Sequence, residues 1–184
     1  MKPSPTSNLD RVAVIGTSCS GKTTLARTLA KTLDVPHIEL DAIHWQPNWC
    51  PRPLDEFRQL TGTAVAAERW VLDGNYSKAR DIVWQRATTL VWLNYPFRVV
   101  FWRALSRTIS RVLTQQELFA GNREGFRQSF LSKDSILVWV ITTYHRRRRD
   151  YPKLFKRPEH AHLEVIELGS PGEAERLVAG LKVR

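Results

Sequence analysis

The stretch RVAVIGTSCSGKT, residues 11–23, decides the architecture of this chain. Arg11–Ile15 is a short apolar run rich in β-branched residues and reads as a buried strand that stops at Gly16. From Lys22 onward, Leu25, Leu29 and Leu33 recur at the four-residue spacing of a helix, which Asp34 and Pro36 bring to an end. Between the two, Gly16–Thr23 matches G-x-x-x-x-G-K-[ST] in full. Composition alone would produce that match in roughly one chain in 150 of this length, and its place between strand and helix makes chance a weaker account still. Each position has a physical task. Gly16 and Gly21 let the backbone curl with its N–H groups pointing inward, forming a concave nest for an anion. The positive end of the following helix reinforces it. Lys22 suits the β- and γ-phosphates of a nucleotide, and the Thr23 hydroxyl suits Mg²⁺. Ser18, Cys19, Ser20 and Thr24 complete the candidate nucleotide-binding set. Cys19 is either a small residue that fits a variable position or, with its thiol acidity raised at a helix N-terminus, a point of oxidative inhibition.

Outward from this loop, strand and helix patterns alternate. His37–Leu40 reads as a second strand, followed by a Trp/Pro-rich loop over residues 41–53, DAIHWQPNWCPRP. Leu54–Glu68 reads as a helix with Phe57, Leu60, Ala64 and Val65 on one face. Trp70–Asp73 is a third strand entering a turn at Gly74 and Asn75, and Ser77 is placed to N-cap a helix to about Gln85. Thr89–Leu93 is a fourth strand, and Pro96 opens a long helix. A break at Ala120–Asn122 precedes helical stretches to about Arg149. His162–Leu168 is a fifth strand and Pro171–Val183 a last helix. Such alternation implies a parallel sheet covered by helices on both faces. Residues 1–10 read as a loose tail and 11–184 as one domain, with a helical insertion over about 119–157.

Composition bounds the function. Of 184 residues, 42% are hydrophobic and 25% charged, which disfavours disordered and fibrous classes. Two cysteines, Cys19 and Cys50, cannot build a disulfide framework and suggest a reducing cytoplasm. Neither a signal peptide nor an apolar run long enough to span a bilayer is evident. The formal charge is +10, with 28 Lys and Arg against 18 Asp and Glu. All of that surplus falls between Arg98 and Arg157, where 14 basic residues meet 4 acidic ones. A polyanion is therefore the expected partner: nucleotide phosphates, nucleic acid or an acidic surface. The run Arg146–Arg149 reads equally as a solvated helix end, since positive charge favours a helix C-terminus.

Two acids stand out. Asp41 follows the second strand and Asp73 ends the third, and carboxyl ends of strands near a topological switch point face the ligand crevice. A buried Asp there needs a partner or a metal to offset its desolvation; Mg²⁺ and a substrate hydroxyl would serve, although either acid could instead cap a following helix. His44, Trp45, Trp49, Asn75 and Tyr76 surround these acids in sequence. They suggest a pocket wall for a ring or sugar, or, for the tryptophans, packing on the sheet edge.

The segments GTSCSGKT, HIELDAIHW, WVLDGNYS, LVWLNYP and GNRE together resemble the adenylate-kinase-like P-loop kinases, and more closely a bacterial subgroup described as topology modulation proteins or adenylate kinase and related kinases. The resemblance runs from Arg11 to the last helix. It implies a P-loop NTPase three-layer sandwich: an α/β fold whose five-stranded parallel sheet has order 2-3-1-4-5, with helices on both faces and a helical lid. It implies ATP and Mg²⁺ as cofactors and a small-molecule, nucleoside or nucleotide acceptor. Asp73 then matches the acid near the metal, beside Thr23, and Asp41 the acid that orients or deprotonates the acceptor hydroxyl. Nucleoside-monophosphate kinases carry an Arg four residues after the aspartate of the D-G motif; here that position is Ser77, with Lys78 and Arg80 displaced, so an AMP-like acceptor is not implied. Arg103 matches the residue that stacks on the base and Arg107 one that reaches the phosphates. Arg123 and Arg127, flanked by Gly121 and Gly125, match lid arginines, and Leu168–Pro171 the base-contacting loop.

Independently of that likeness, the four-residue spacings of Arg103, Arg107 and Arg111 put three like charges on one helical face, tolerable when an anion arrives between them. The expected catalytic set is Lys22, Asp41, Arg107, Arg123 and Arg127. Candidate acceptor contacts are Asp41, His44, Trp45, Asn75, Tyr76 and Arg80. The function that follows is ATP-dependent phosphotransfer to a small acceptor. The alternatives are a nucleic-acid-associated NTPase that modulates DNA topology, and a bare hydrolase.

Overall fold

Continuous burial along the central strands organises the molecule into layers. In the computed structural model, which describes residues 8–114, 119–122 and 136–182, seven strands and seven helices are seen. The strands are β1 (Arg11–Gly16), β2 (His37–Glu39), β3 (Trp45–Gln46), β4 (Cys50–Pro51), β5 (Trp70–Asp73), β6 (Thr89–Leu93) and β7 (Glu164–Leu168). The helices are α1 (Lys22–Leu33), α2 (Leu40–His44), α3 (Leu54–Ala64), α4 (Arg80–Arg86), α5 (Phe97–Thr114), α6 (Ile136–Phe155) and α7 (Pro171–Lys182).

Five strands form one parallel sheet of order β2-β5-β1-β6-β7. This corrects the expected 2-3-1-4-5. The loop after β2 supplies two short strands of its own, which pair antiparallel as a separate hairpin, so the later strands of the sheet are the fifth, sixth and seventh of the chain. Residues 41–53 are thus not a plain loop. They hold α2 and that hairpin, whose turn places Asn48 and Trp49 in the left-handed region (φ 61° and 54°).

Both faces of the sheet are covered. Val12 and Val14 pack with Leu25, Leu29, Val100, Ala104, Val140 and Tyr144 on one side, while Ala13 and Ile15 pack with Phe57, Leu72, Val83, Trp84 and Tyr151 on the other. Successive strand residues point to opposite faces, so a continuously apolar β1 is what a doubly covered strand requires. Helix α6 contributes Tyr144 to one cluster and Tyr151 to the other. It therefore crosses the carboxyl edge of the sheet. The run Arg146–Arg149 lies inside this helix, not at its end.

Two further boundaries differ from expectation. Helix α3 stops at Ala64, short of Glu68, because Arg86 takes up the carbonyls beyond it: its Nε donates to Val65 O at 3.2 Å and its Nη2 to Ala66 O at 2.8 Å. Ser77 does not cap α4. It opens a 3₁₀ turn, Ser77–Ala79, that buries Ala79 completely, and α4 begins at Arg80 with no side-chain cap. No helix among the described residues is long and apolar enough to cross a membrane.

Candidate active site

The phosphate loop leaves the buried end of β1 and enters α1. Gly16 lies so close to its surroundings that a Cβ would come within 2.8 Å of Leu93 O and 2.9 Å of Ser20 Oγ. Gly21, at φ 98°, is the N-cap of α1 and supplies no side-chain hydrogen bond, and the first turn carries no acidic residue. The free N–H groups of that turn and their dipole are left for an anion. Ser20 Oγ is buried without a hydrogen-bond partner among the described residues, a second donor awaiting an acceptor. Ser18 is half-buried in the loop, Cys19 is buried with φ 63°, and Thr24 is exposed on the first turn of α1.

Lys22 folds back on this loop, its Nζ donating to Thr17 O at 3.1 Å. Burial and then the positive charge of Arg147 push its pKa down to about 8, against the opposing pull of Asp41, Asp73 and Cys19. A lysine held this way is short of negative charge, which a triphosphate would supply.

Asp73 ends β5 with only 3% of its surface exposed. Its Oδ2 accepts from Thr23 Oγ1 at 2.6 Å and its Oδ1 faces His37 Nε2 at 2.7 Å. The carboxylate has protein partners and caps no helix. Thr23 and Asp73 present hydroxyl and carboxylate oxygens, the hard donors Mg²⁺ takes together with substrate phosphates. Among the described residues no cluster of three His, Cys, Asp or Glu would hold a metal unaided. The pair therefore fits Mg²⁺ as a companion to a bound nucleotide.

Asp41, on α2, accepts a hydrogen bond from Tyr76 Oη at 2.6 Å. Burial and the Asp41 charge hold the Tyr76 phenol well above its usual range, so it stays a donor. His44 sits among Trp45, Phe57 and Tyr76 with ring centroids 4.7, 5.0 and 4.5 Å away, and Trp45 meets Trp49 edge-on at 5.6 Å. Burial lowers the His44 pKa. Beside this wall lies a shallow, narrow cleft lined by Tyr76, Arg80, Trp84 and Tyr151, with Ala13 and Ile15 beneath them. The Arg80 guanidinium lies 5.2 Å from the Trp84 ring. Asn75 turns the other way: its Oδ1 accepts from Gly16 N at 3.3 Å and its Nδ2 donates to Gly16 O. Its amide is spent on holding the loop.

The arginines divide. Arg103 donates from Nη1 to Ser20 O at 2.9 Å and lies 5.4 Å from the Tyr95 ring. Arg107 is half-buried, its Nε without a hydrogen-bond partner among the described residues. The Arg111 side chain, Arg123 and Arg127 lie outside the described residues. Sequence reasoning missed Arg147. At the point where α6 crosses the sheet edge, its Nη1 donates to Gly16 O at 3.4 Å, and burial followed by the charges of Arg146 and Arg80 lowers its pKa while Tyr151 opposes them. A signal existed: Val140, Tyr144, Arg147 and Tyr151 share one helical stripe, and a cation on an otherwise apolar stripe is costly unless it has work to do.

His37 and Glu39, both on β2, were also missed. Burial, then Asp73 and Asp41, raise the Glu39 pKa. Asn122, of the GNRE segment, is 5% exposed and bridges to the hairpin: it accepts from Trp49 N at 2.9 Å and donates to Gln46 O at 2.9 Å and Phe119 O at 2.7 Å. Asn122→Ala is expected to raise amide exchange at Trp49 about tenfold, as loss of one net hydrogen bond would; an unchanged Trp49 rate in hydrogen-exchange measurements contradicts the bridge.

No family model matches the chain, and no curated protein matches it. Solved structures do. A shikimate kinase from Bacteroides thetaiotaomicron is similar at 19% identity and a TM-score of 0.53, covering 94% of this chain and 96% of that one. A gluconokinase from Sinorhizobium meliloti 1021 gives 17% and 0.50, covering 95% and 97%. A shikimate kinase from Acinetobacter baumannii in complex with shikimate gives 18% and 0.51, covering 95% and 92%. At these identities the likeness establishes a fold shared with P-loop kinases.

Proposed function

We propose that this chain is an ATP-dependent phosphotransferase acting on a small hydroxyl-bearing acceptor that also carries an anionic group. The observation that carries the reading is the uncapped N-terminus of α1 with the Lys22 ammonium folded back over the loop onto Thr17 O. The triphosphate docks on the free N–H groups, and Lys22 leaves Thr17 O for the phosphate oxygens. Thr23 and Asp73 would hold Mg²⁺, which neutralises phosphate charge when bound.

Asp41, oriented by Tyr76, takes the acceptor's hydroxyl proton as the new O–P bond forms and the bond to ADP breaks. Arg147 offsets charge on the transferring group. His44, Trp45 and Trp49 wall the acceptor, and Arg80 faces its anion from the cleft. Similar folds in kinases of shikimate and gluconate support a small polar acceptor by analogy alone. We assign the basic segment to nucleotide charge, because Arg103 and Arg147 point into the loop, and not to nucleic acid. The topology modulation subgroup remains a likeness in sequence.

The test is a panel of nucleosides, nucleotides and sugar acids screened for acceptor-dependent ADP release. Asp41→Asn is expected to lower that release about 10²–10⁴-fold with ATP affinity retained. ADP release indifferent to every acceptor would make the chain a hydrolase and overturn the proposal.

A further inference from the structure

The buried carboxylate of Asp73 has two partners, and only one of them belongs to the phosphate loop. The other, His37, starts β2, the edge strand of the sheet, and pairs in register with Val71, two residues before Asp73. Its ring is 18% exposed and its Nε2 lies 2.7 Å from Asp73 Oδ1, while Thr23 Oγ1 holds Oδ2 at 2.6 Å. An ionised carboxylate only accepts hydrogen bonds, so the imidazole proton in this contact is on Nε2. With donors at both oxygens, the plane of the carboxylate is fixed.

A histidine is not required here for the sheet. An edge strand of three residues pairs on one side only, and its first position tolerates many side chains. Nor does the local field favour leaving Asp73 with fewer donors: Glu39 stands near it, and burial, then the charges of Asp73 and Asp41, already hold the Glu39 carboxyl above its ordinary value. Without His37, Asp73 would keep one donor and gain freedom to turn.

We propose that His37 is a positioning residue for the metal–nucleotide site: it acts through Asp73, holding the carboxylate in the orientation that serves Thr23 and a magnesium ion arriving with ATP. The inference rests on the phosphotransferase reading. It predicts that His37 matters to the metal-dependent part of nucleotide binding and not to the phosphate loop itself.

The experiment is calorimetric titration of the full chain with ATP, once in EDTA and once in MgCl₂, for wild type, His37→Ala and His37→Gln, with melting temperatures of the ligand-free proteins beside it. Wild type should bind ATP more tightly with Mg²⁺. His37→Ala should lose about 10- to 100-fold of the Mg²⁺-dependent gain, the usual consequence of removing a partner of a metal-site residue, while its affinity in EDTA stays as in wild type. His37→Gln, whose amide retains a donor, should recover most of the loss. Should His37→Ala keep the wild-type ratio of affinities, or lose affinity equally in both buffers, His37 is structural and the inference is wrong. It is equally wrong if His37→Gln melts like wild type yet behaves as His37→Ala. A wild-type chain that binds ATP in neither buffer defeats the phosphotransferase reading itself, and this inference with it.

Discussion

Lys22→Ala will cripple ATP-dependent transfer, lowering kcat/KM by about 10³-fold, the scale of losing one preorganised charge at a reacting phosphate. The fold should survive, because the removed ammonium is a burden on the ligand-free protein. Burial and Arg147 hold its pKa near 8, against an ordinary 10.5. Between those values the unfolded chain binds a proton that the native chain does not, so the Lys22 contribution to stability rises as pH climbs from about 8 toward 10.5. Lys22→Ala should lack that rise in a pH series of melting temperatures. A triphosphate reverses the imbalance and restores the lysine's charge. ATP binding above pH 8 should then take up a proton, measurable as a dependence of binding enthalpy on buffer ionisation, and Lys22→Ala should show none. Unchanged turnover in this variant would defeat the assignment of the loop.

Arg147→Met should rank second, lowering kcat/KM for transfer about 10²–10³-fold with kcat falling more than ATP affinity. Arg147→Lys should recover only part, since an ammonium lacks the planar fork that spans two oxygens. Arg147 is among the causes that depress the Lys22 pKa. Removing it should therefore move the lysine's titration up, and the pH at which ATP binding takes up a proton should rise with it. A variant with wild-type turnover and an unmoved proton signature would show that the crossing of α6 over the sheet edge has no part in the chemistry.

The two variants divide along what could be read before folding. Lys22, Thr23 and the glycines around them are legible because a phosphate nest is local: a strand, a turn of fixed length and a helix N-terminus lie consecutively in the chain. The alternation of apolar runs likewise implies a parallel sheet with helices on both faces. The hairpin of residues 45–51 is less legible, because its strands are two residues each and its turn uses left-handed Asn48 and Trp49 where glycine would have signalled it.

Asn75 shows the limit of proximity. It is adjacent in sequence to the acids, yet its amide holds Gly16, 59 residues away in the chain. Residues 11–23 on their own determined a loop built for phosphate, and the surrounding pattern determined the layers that bury it. Tertiary structure alone decided which distant polar groups join them: His37 from an edge strand and Arg147 from a helix that crosses the sheet. The reason is the cost of desolvation. A charge becomes functional by being enclosed beside another charge, and enclosure is a property of packed elements that spacing along a chain does not encode.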